Sequence, residues 1–306
     1  MSANNLIIIL GATASGKTRL AVQIAKMLDG EIISADSRQI FKKMDIGTGK
    51  DLQEYQIDNQ HIPYHLIDVL EPGDRYHVDA FKNDFYQVFE SIMQRNKWPI
   101  LCGGTGMYIH SLLQNQTYTA VPVNPELRQS LELIDKEELI SKLSEYENPN
   151  INRVDLSSRK RLIRAIEIAD FLSFNTLKNI ERPEINPIVF GLKNEIEVTR
   201  AKILKRLDDR LKNGMIAEVE QLLKDGVSKE ILIFYGLEYK FVINYLEGMM
   251  DYETLKLRLG IAICQYAKRQ NTFFRKMEKD GVNIIWLNAS AEINQLKQQI
   301  IENVLL

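Results

Sequence analysis

An α/β fold is what this sequence predicts: a mostly parallel sheet with helices on both faces and an all-helical domain inserted into it. Three observations carry the prediction. The chain opens with an apolar run, a glycine-rich loop and an amphipathic helix. Short apolar runs then alternate with helical patterns, the signature of parallel strands joined by helical crossovers. Between Leu112 and Pro187 the strand signal stops, and beyond that stretch it resumes.

The first strand is Leu6-Ile7-Ile8-Ile9-Leu10, without a polar residue, as suits a sheet covered on both faces. Gly11-Ala12-Thr13-Ala14-Ser15-Gly16-Lys17-Thr18 follows and fits the phosphate-binding pattern G-x-x-x-x-G-K-[ST]. Leu20, Ala21, Ile24, Ala25 and Leu28 then share one helical face, and Asp29-Gly30 ends the helix. Four fixed positions match by chance in roughly one per cent of chains this long. With its strand before and its helix after, the match makes the fold P-loop NTPase-like. Gly11 and Gly16 let the backbone turn so that amide N–H groups face phosphate oxygens. The helix adds its positive dipole end, Lys17 a point charge, and Thr18 a hydroxyl for a Mg²⁺ that bridges phosphates. On pattern alone the occupant would be ATP.

Later strands are expected at Ile32–Ala35, Tyr64–Leu70, Pro99–Cys102, Ile188–Leu192 and Asn283–Leu287, with a helix over Val78–Met93. The strand-free stretch carries helical patterns at Pro125–Leu133, Lys136–Tyr146 and Ser158–Phe171, interrupted by Asn148-Pro149-Asn150. The core is therefore read as residues 1–111 with 188–306, and the helical insertion as 112–187. Long helices at Glu195–Lys212 and Asp251–Met277 precede the last strand.

Composition narrows the class. Among 306 residues, 45% are hydrophobic and 26% charged, as in soluble globular chains. No apolar run approaches the ~20 residues of a membrane span, and the N-terminus lacks a signal peptide's basic start, so a cytoplasmic protein without membrane attachment is expected. Cys102 and Cys264 lack metal-ligand spacing, and Pro63 between His61 and His65 argues against a helix presenting both to zinc. A net charge of −2 excludes a uniformly basic nucleic-acid binder. The cations are nonetheless clustered: Arg153, Arg159, Lys160, Arg161 and Arg164; then Arg200, Lys202, Lys205, Arg206, Arg210 and Lys212; then Lys268, Arg269, Arg275, Lys276 and Lys279. Solvated helix faces and nucleic-acid contacts both look like this.

A second constellation follows the second strand: Ser34-Ala35-Asp36-Ser37-Arg38-Gln39-Ile40-Phe41, then Asp45-Ile46-Gly47-Thr48-Gly49-Lys50. In an open parallel sheet ligands sit beyond the carboxyl ends of the strands, where Asp36 falls. A carboxylate there could take a proton from a nucleophile or hold a metal through water; a helix N-cap by Asp36 or Ser37 is the alternative. Gly103-Gly104-Thr105-Gly106 after the fourth strand reads either as backbone approach to a ligand or as a plain glycine turn. Leu66-Ile67-Asp68 has the form of a strand-end acid.

Together these blocks resemble the tRNA dimethylallyltransferases. The resemblance rests on Gly11 to Thr18, Asp36-Ser37-Arg38-Gln39, Asp45-Ile46-Gly47-Thr48, His65-Leu66-Ile67-Asp68 and Gly103 to Tyr108. It continues through Pro125-Glu126-Leu127-Arg128, Arg161 to Glu167, and Tyr266-Ala267-Lys268-Arg269-Gln270-Asn271-Thr272-Phe273-Phe274-Arg275. It covers nearly the whole chain, and the blocks are specific when found in this order.

The resemblance implies transfer of a dimethylallyl group from dimethylallyl diphosphate to the exocyclic amine of the adenosine 3′ of the anticodon. The loop Gly11–Thr18 would then hold the donor's diphosphate, with Mg²⁺ as cofactor on Thr18. Asp36 would be the base, with Lys17 and Thr105 completing the catalytic set. The anticodon stem-loop of tRNA would be met by Asp36, Ser37, Arg38, Gln39, Thr105, Arg128, Lys160, Arg161, Arg164, Tyr239, Lys240, Lys268, Arg269 and Gln270. Gln39 and Phe41 are candidates for the pocket of a flipped base. A monomer with no obligate protein partner is expected.

The chain departs from the family's pattern at four places: Phe41 for tyrosine, Gly49 for alanine, Asp155-Leu156-Ser157-Ser158 for histidine–proline–asparagine–aspartate, and Glu238 for the glycine before Tyr239-Lys240. Two other classes account for part of the chain. A P-loop small-molecule or nucleotide kinase explains the loop and strand-end acids, but no arginine-rich lid is evident. A nucleotide-gated RNA-binding protein without catalysis explains the basic helices and leaves Asp36 and Thr105 without a role.

Overall fold

Side-chain alternation along β1 (Leu6–Gly11) divides the apolar core in two. Leu6, Ile8 and Leu10 join one cluster and Ile7 and Ile9 the other, because successive side chains of a strand face opposite sides of the sheet. The computed structural model describes residues 4–114, 116–146, 156–177 and 180–304.

After β1 come α1 (Lys17–Leu28), β2 (Gly30–Ser34), a 3-10 turn at Leu52–Tyr55, and the short strands β3 (Gln56–Ile57), β4 (Gln60–His61) and β5 (Tyr64–His65). Next are α2 (Val78–Gln94), β6 (Trp98–Gly103) and α3 (Gly106–Leu113), then α4 (Pro125–Leu131), α5 (Lys136–Ser144) and α6 (Arg159–Phe174). The chain continues through β7 (Pro187–Lys193), α7 (Ile196–Lys212), α8 (Met215–Lys224), α9 (Lys229–Tyr235) and α10 (Leu237–Leu246). It closes with α11 (Tyr252–Lys279), β8 (Ile285–Asn288) and α12 (Ile293–Val304).

Six strands form one parallel sheet in the order β5-β2-β6-β1-β7-β8, and β3 and β4 pair separately. Ile8 sits opposite Leu101 of β6 and Val189 of β7. β1 leads to β2 on one side, and the later strands β7 and β8 extend the sheet on the other. The carboxyl end of β1 therefore lies at a topological switch point, where open α/β sheets hold their ligands.

One face is covered by α1 and α12 through Leu20, Ile24, Leu296 and Ile300. The other carries α2, α3 and the C-terminal helices. In α11 the buried residues Leu255, Leu259, Ile263, Ala267, Gln270, Phe274 and Met277 recur every three or four positions, so one stripe of a 28-residue helix meets the core. The Asp251 carboxylate caps its start by accepting from the Thr254 N–H at 2.7 Å.

One expected strand is shorter than its apolar run. Only Tyr64 and His65 of the expected strand Tyr64–Leu70 enter the sheet. Leu66 and Asp68 take left-handed φ of 61° and 56°, which no strand continues. The following residues pair instead with the 39–42 segment, Val69 and Leu70 donating to the Ile40 carbonyl. The helix α1 ends where Asp29-Gly30 predicts, with Asp29 as its left-handed cap at φ 52°, and Gly30 begins β2.

The chain forms two compact units, residues 1–113 with 183–306, and residues 114–182. In the second, α4, α5 and α6 pack around Leu131, Leu139, Leu143, Leu162, Ile163 and Ile166. The Glu167 side chain is fully buried there and pairs with Arg128 and, at 3.5 Å, with Arg164. Arg164 also donates to the Val121 carbonyl at 2.6 Å. Arg128 and Arg164, expected as RNA contacts, are thus tied to a buried carboxylate inside the unit. Glu167→Ala leaves those guanidiniums without it, and we expect the unit to lose about 3 kcal/mol of stability. Hydrogen exchange across α4–α6 checks this; unchanged protection would contradict it. The break at Asn148-Pro149-Asn150, the cation Arg153 and the departure at Asp155 lie outside the described residues.

Candidate active site

Ala14 and Gly16 hold left-handed φ of 60° and 84° just before α1. That pair of turns wraps Gly11–Thr18 around the helix N-terminus, with Gly11, Ala12 and Ser15 buried and Thr13, Ala14, Gly16, Lys17 and Thr18 facing a cleft of about 490 Å³. Gln270 of α11 fixes the loop: its Oε1 accepts from the Thr13 N–H at 2.9 Å and its Nε2 donates to the Gly104 carbonyl at 2.9 Å. Gln270 was expected on the RNA side. Its amide joins the phosphate loop to the glycine turn after β6, and the residue also lines the cleft.

Crowding by protein atoms strips water from the Lys17 ammonium and lowers its pKa; Cys102 and Asp36 pull the other way. Burial pushes the Cys102 thiol up to about 12, so it is neutral at pH 7 and Asp36 is the effective counter-charge. A cation short of both water and partners favours an anionic ligand.

Asp36 lies two residues beyond β2 in the same cleft. Its Oδ1 accepts from the Arg38 N–H at 2.9 Å. Residues 37–40 form turns and no helix starts there, so Asp36 closes an Asx turn and the N-cap alternative falls. Thr105 steadies that turn from below, its N–H donating to the Ala35 carbonyl and its Oγ1 accepting from the Ser37 N–H, both at 3.1 Å. A Cβ on Gly103 would collide with the Ala35 backbone, and one on Gly104 would come within 3.2 Å of the Gly11 carbonyl. The glycine pair therefore lets β6 pack against the Asp36 turn and the phosphate loop.

The neighbouring motif has its own brace. Glu218 of α8 accepts from the N–H groups of Asp45 (2.8 Å), Ile46 (2.6 Å) and Gly47 (3.0 Å), and from the Tyr239 hydroxyl at 2.9 Å. Lys50 is buried and donates to the Phe41 carbonyl at 2.8 Å and to Asp45 at 2.6 Å, and pairs with Asp68. Asp68 is thereby a partner of Lys50 within the fold.

To the same cleft α7 contributes Arg206 and Arg210. Arg206 donates to the Gly49 carbonyl at 3.1 Å and pairs with Asp51. Burial lowers the pKa of Arg210 to about 10, Arg206 adds to the shift, and Glu238 at 3.5 Å opposes it. A Cβ on Gly49 would overlap the Arg210 guanidinium. Two departures from the family's pattern, Gly49 and Glu238, thus meet at one arginine: the first clears its space and the second supplies its counter-charge. In the sequence both arginines fall in a basic cluster with no assignment to the site, and their spacing of four on one helix is the signal that pairs them.

Ser37, Arg38, Gln39 and Tyr239 also line this cleft. Gln39 is braced by Ser34 at 3.2 Å and the Gly49 carbonyl at 3.1 Å. Phe41, a candidate for the base pocket, is instead buried in the core, 4.2 Å from the Tyr235 ring centroid. Lys240, Lys268 and Arg269 are exposed and do not line the cleft, and Lys160 and Arg161 are exposed on α6.

The match to the family profile described as IPP transferase spans residues 39–277. The chain belongs to the IPP transferase family. It is 46% identical over 300 residues to "tRNA dimethylallyltransferase 2" of Shewanella sediminis, covering 98% of each chain. It is 49% identical over 284 residues to the Porphyromonas gingivalis protein of that name, covering 93% of this chain and 94% of the relative. Among solved structures, the tRNA isopentenylpyrophosphate transferase of Bacillus halodurans superposes with a TM-score of 0.71 at 29% identity, over 98% of this chain and 97% of that one.

The residues present fit a Mg²⁺ shared with a diphosphate. Among the described residues no three His, Cys, Asp or Glu side chains are grouped to cage a metal. Thr18 and Asp36 face the same cleft, and the buried Ser15 hydroxyl of the loop has no hydrogen-bond partner. Mg²⁺ bound through few protein oxygens plus phosphates is its ordinary mode.

Proposed function

We propose that this chain transfers a dimethylallyl group from its diphosphate to the exocyclic amine of the adenosine 3′ of the tRNA anticodon. One observation carries the reading: Lys17 and Thr18 of the phosphate loop share a single cleft with the Asp36 carboxylate. The loop amides, Lys17, Arg206 and Arg210 bind the donor's diphosphate. The amine nitrogen attacks the allylic carbon, the carbon–oxygen bond breaks, diphosphate departs, and the amine proton passes to Asp36. Adenine's amine is a weak nucleophile because its lone pair is delocalised into the ring, so removal of that proton matters. Thr18 would hold Mg²⁺, which when bound neutralises charge on the leaving diphosphate. Ser37, Arg38, Gln39 and Thr105 hold the Asp36 turn where the target base enters. Exposed Lys160, Arg161, Lys240, Lys268 and Arg269 meet the anticodon stem-loop's phosphates, and binding weakens with salt accordingly.

The kinase alternative is not favoured, because relatives matching nearly the whole chain are named for dimethylallyl transfer. No described helix is long and apolar enough to cross a membrane. The experiment is to react unmodified tRNA with labelled dimethylallyl diphosphate, digest it, and map the mark by mass spectrometry. The reading expects the label on the adenosine 3′ of the anticodon. Label at another nucleotide would overturn the assigned target.

A further inference from the structure

Phe234 is the last-but-one residue of α9 and stands 58% exposed. Its neighbour Tyr235 is fully buried, with its hydroxyl accepting from the Gly73 N–H at 2.8 Å and donating to the Asp74 carbonyl at 2.6 Å. That anchoring fixes the helix end and leaves the Phe234 ring outside. A lone exposed phenylalanine is ordinary, but this one is flanked by two cations. The Arg38 Cζ lies 5.4 Å from the ring centroid and the Arg75 Cζ 5.8 Å from it. Arg38 also donates to the Phe234 carbonyl at 3.1 Å.

The position of the group relative to the base Asp36 follows from those contacts. Asp36 accepts from the Arg38 N–H, Arg38 holds Phe234, and Arg38, Tyr235 and Gly236 all line the cleft. An exposed aromatic ring with guanidiniums over it is chemistry that holds single-stranded nucleic acid: the exposed part of the ring stacks a base and the cations meet its phosphates. A base that leaves its stack also strips one face from the nucleotide beside it.

We propose that Phe234, with Arg38 and Arg75, forms a stacking ledge for the nucleotide next to the target adenosine, a reading that rests on the tRNA substrate assigned above. Phe234 is a positioning residue: it replaces the neighbour that the flipped base no longer supplies, and it holds the loop while Asp36 acts.

The test uses the full chain and an anticodon stem-loop carrying 2-aminopurine beside the target adenosine. Phe234→Leu keeps an apolar side chain and removes the aromatic face; Phe234→Trp keeps the face. The ledge predicts that Phe234→Leu weakens stem-loop binding roughly 5- to 150-fold and abolishes the quenching of 2-aminopurine on binding, while the donor KM stays unchanged. Phe234→Trp retains binding and quenching, which keeps the test valid if the leucine variant folds poorly. Equal stem-loop binding and quenching by the wild type and Phe234→Leu would overturn the ledge and leave the tRNA reading intact. A wild type that binds no stem-loop would overturn both. A variant altered only in self-association would assign the ring to a protein contact and overturn the ledge.

Discussion

Asp36→Asn is expected to lower kcat about 10²–10⁴-fold, far more than it changes the KM of donor or tRNA. The substitution is chosen for its geometry. Asparagine keeps a carbonyl oxygen for the Arg38 N–H that Asp36 now receives at 2.9 Å, so the turn survives while the proton acceptor is lost. Thr105 continues to brace the turn through Ser37 and Ala35. Single-turnover rates with saturating donor and tRNA check this. If affinity alone falls and the chemical step does not, Asp36 is a binding residue and another group takes the proton.

Lys17→Met should lower kcat/KM for the donor about 10²–10³-fold, the loss that follows removal of one preorganised donor to developing negative charge. Leaving diphosphate gains charge as the carbon–oxygen bond stretches, and the loop amides alone are neutral donors. The pH dependence adds a signature. Burial lowers the Lys17 pKa in the free protein, and the ammonium is the form that binds the donor. Its contribution is complete below that lowered pKa and is lost as pH rises through it. The alkaline limb of kcat/KM should therefore fall earlier than an ordinary lysine would give, and the Lys17→Met profile should lack that limb. An unchanged alkaline limb in the variant would assign the titration elsewhere.

The phosphate loop was legible in the sequence because its chemistry is local. Strand, turn glycines, Lys17 and Thr18 are consecutive, and no long-range packing is needed to interpret them. Asp36 was legible for a related reason, since the end of an apolar run in a parallel sheet marks the ligand side. What needed coordinates was the identity of partners far apart along the chain. Nothing near Gln270 indicates that its amide joins Thr13 to Gly104, or that Glu218 collects three backbone N–H groups of the Asp45–Gly47 turn. Val69 and Leu70 read as strand because β-branched and apolar residues fit one, yet the left-handed Leu66 and Asp68 break it to bring Asp68 to Lys50. α8 could have been found: Met215, Val219 and Leu222 repeat at helical spacing between Gly214 and Gly226. The Gly49, Arg210 and Glu238 arrangement illustrates the limit best. Each departure looks independent in the sequence, and only in space do the two meet at Arg210.

The central claim is that one cleft joins a diphosphate cradle to a proton acceptor for prenyl transfer. Its most direct test supplies unmodified tRNA and dimethylallyl diphosphate labelled at the allylic carbon, without nucleotide, and measures labelled adenosine and free diphosphate together. One prenylated adenosine is expected for each diphosphate released, with ATP neither required nor consumed. ATP consumption with no label entering the RNA would contradict it.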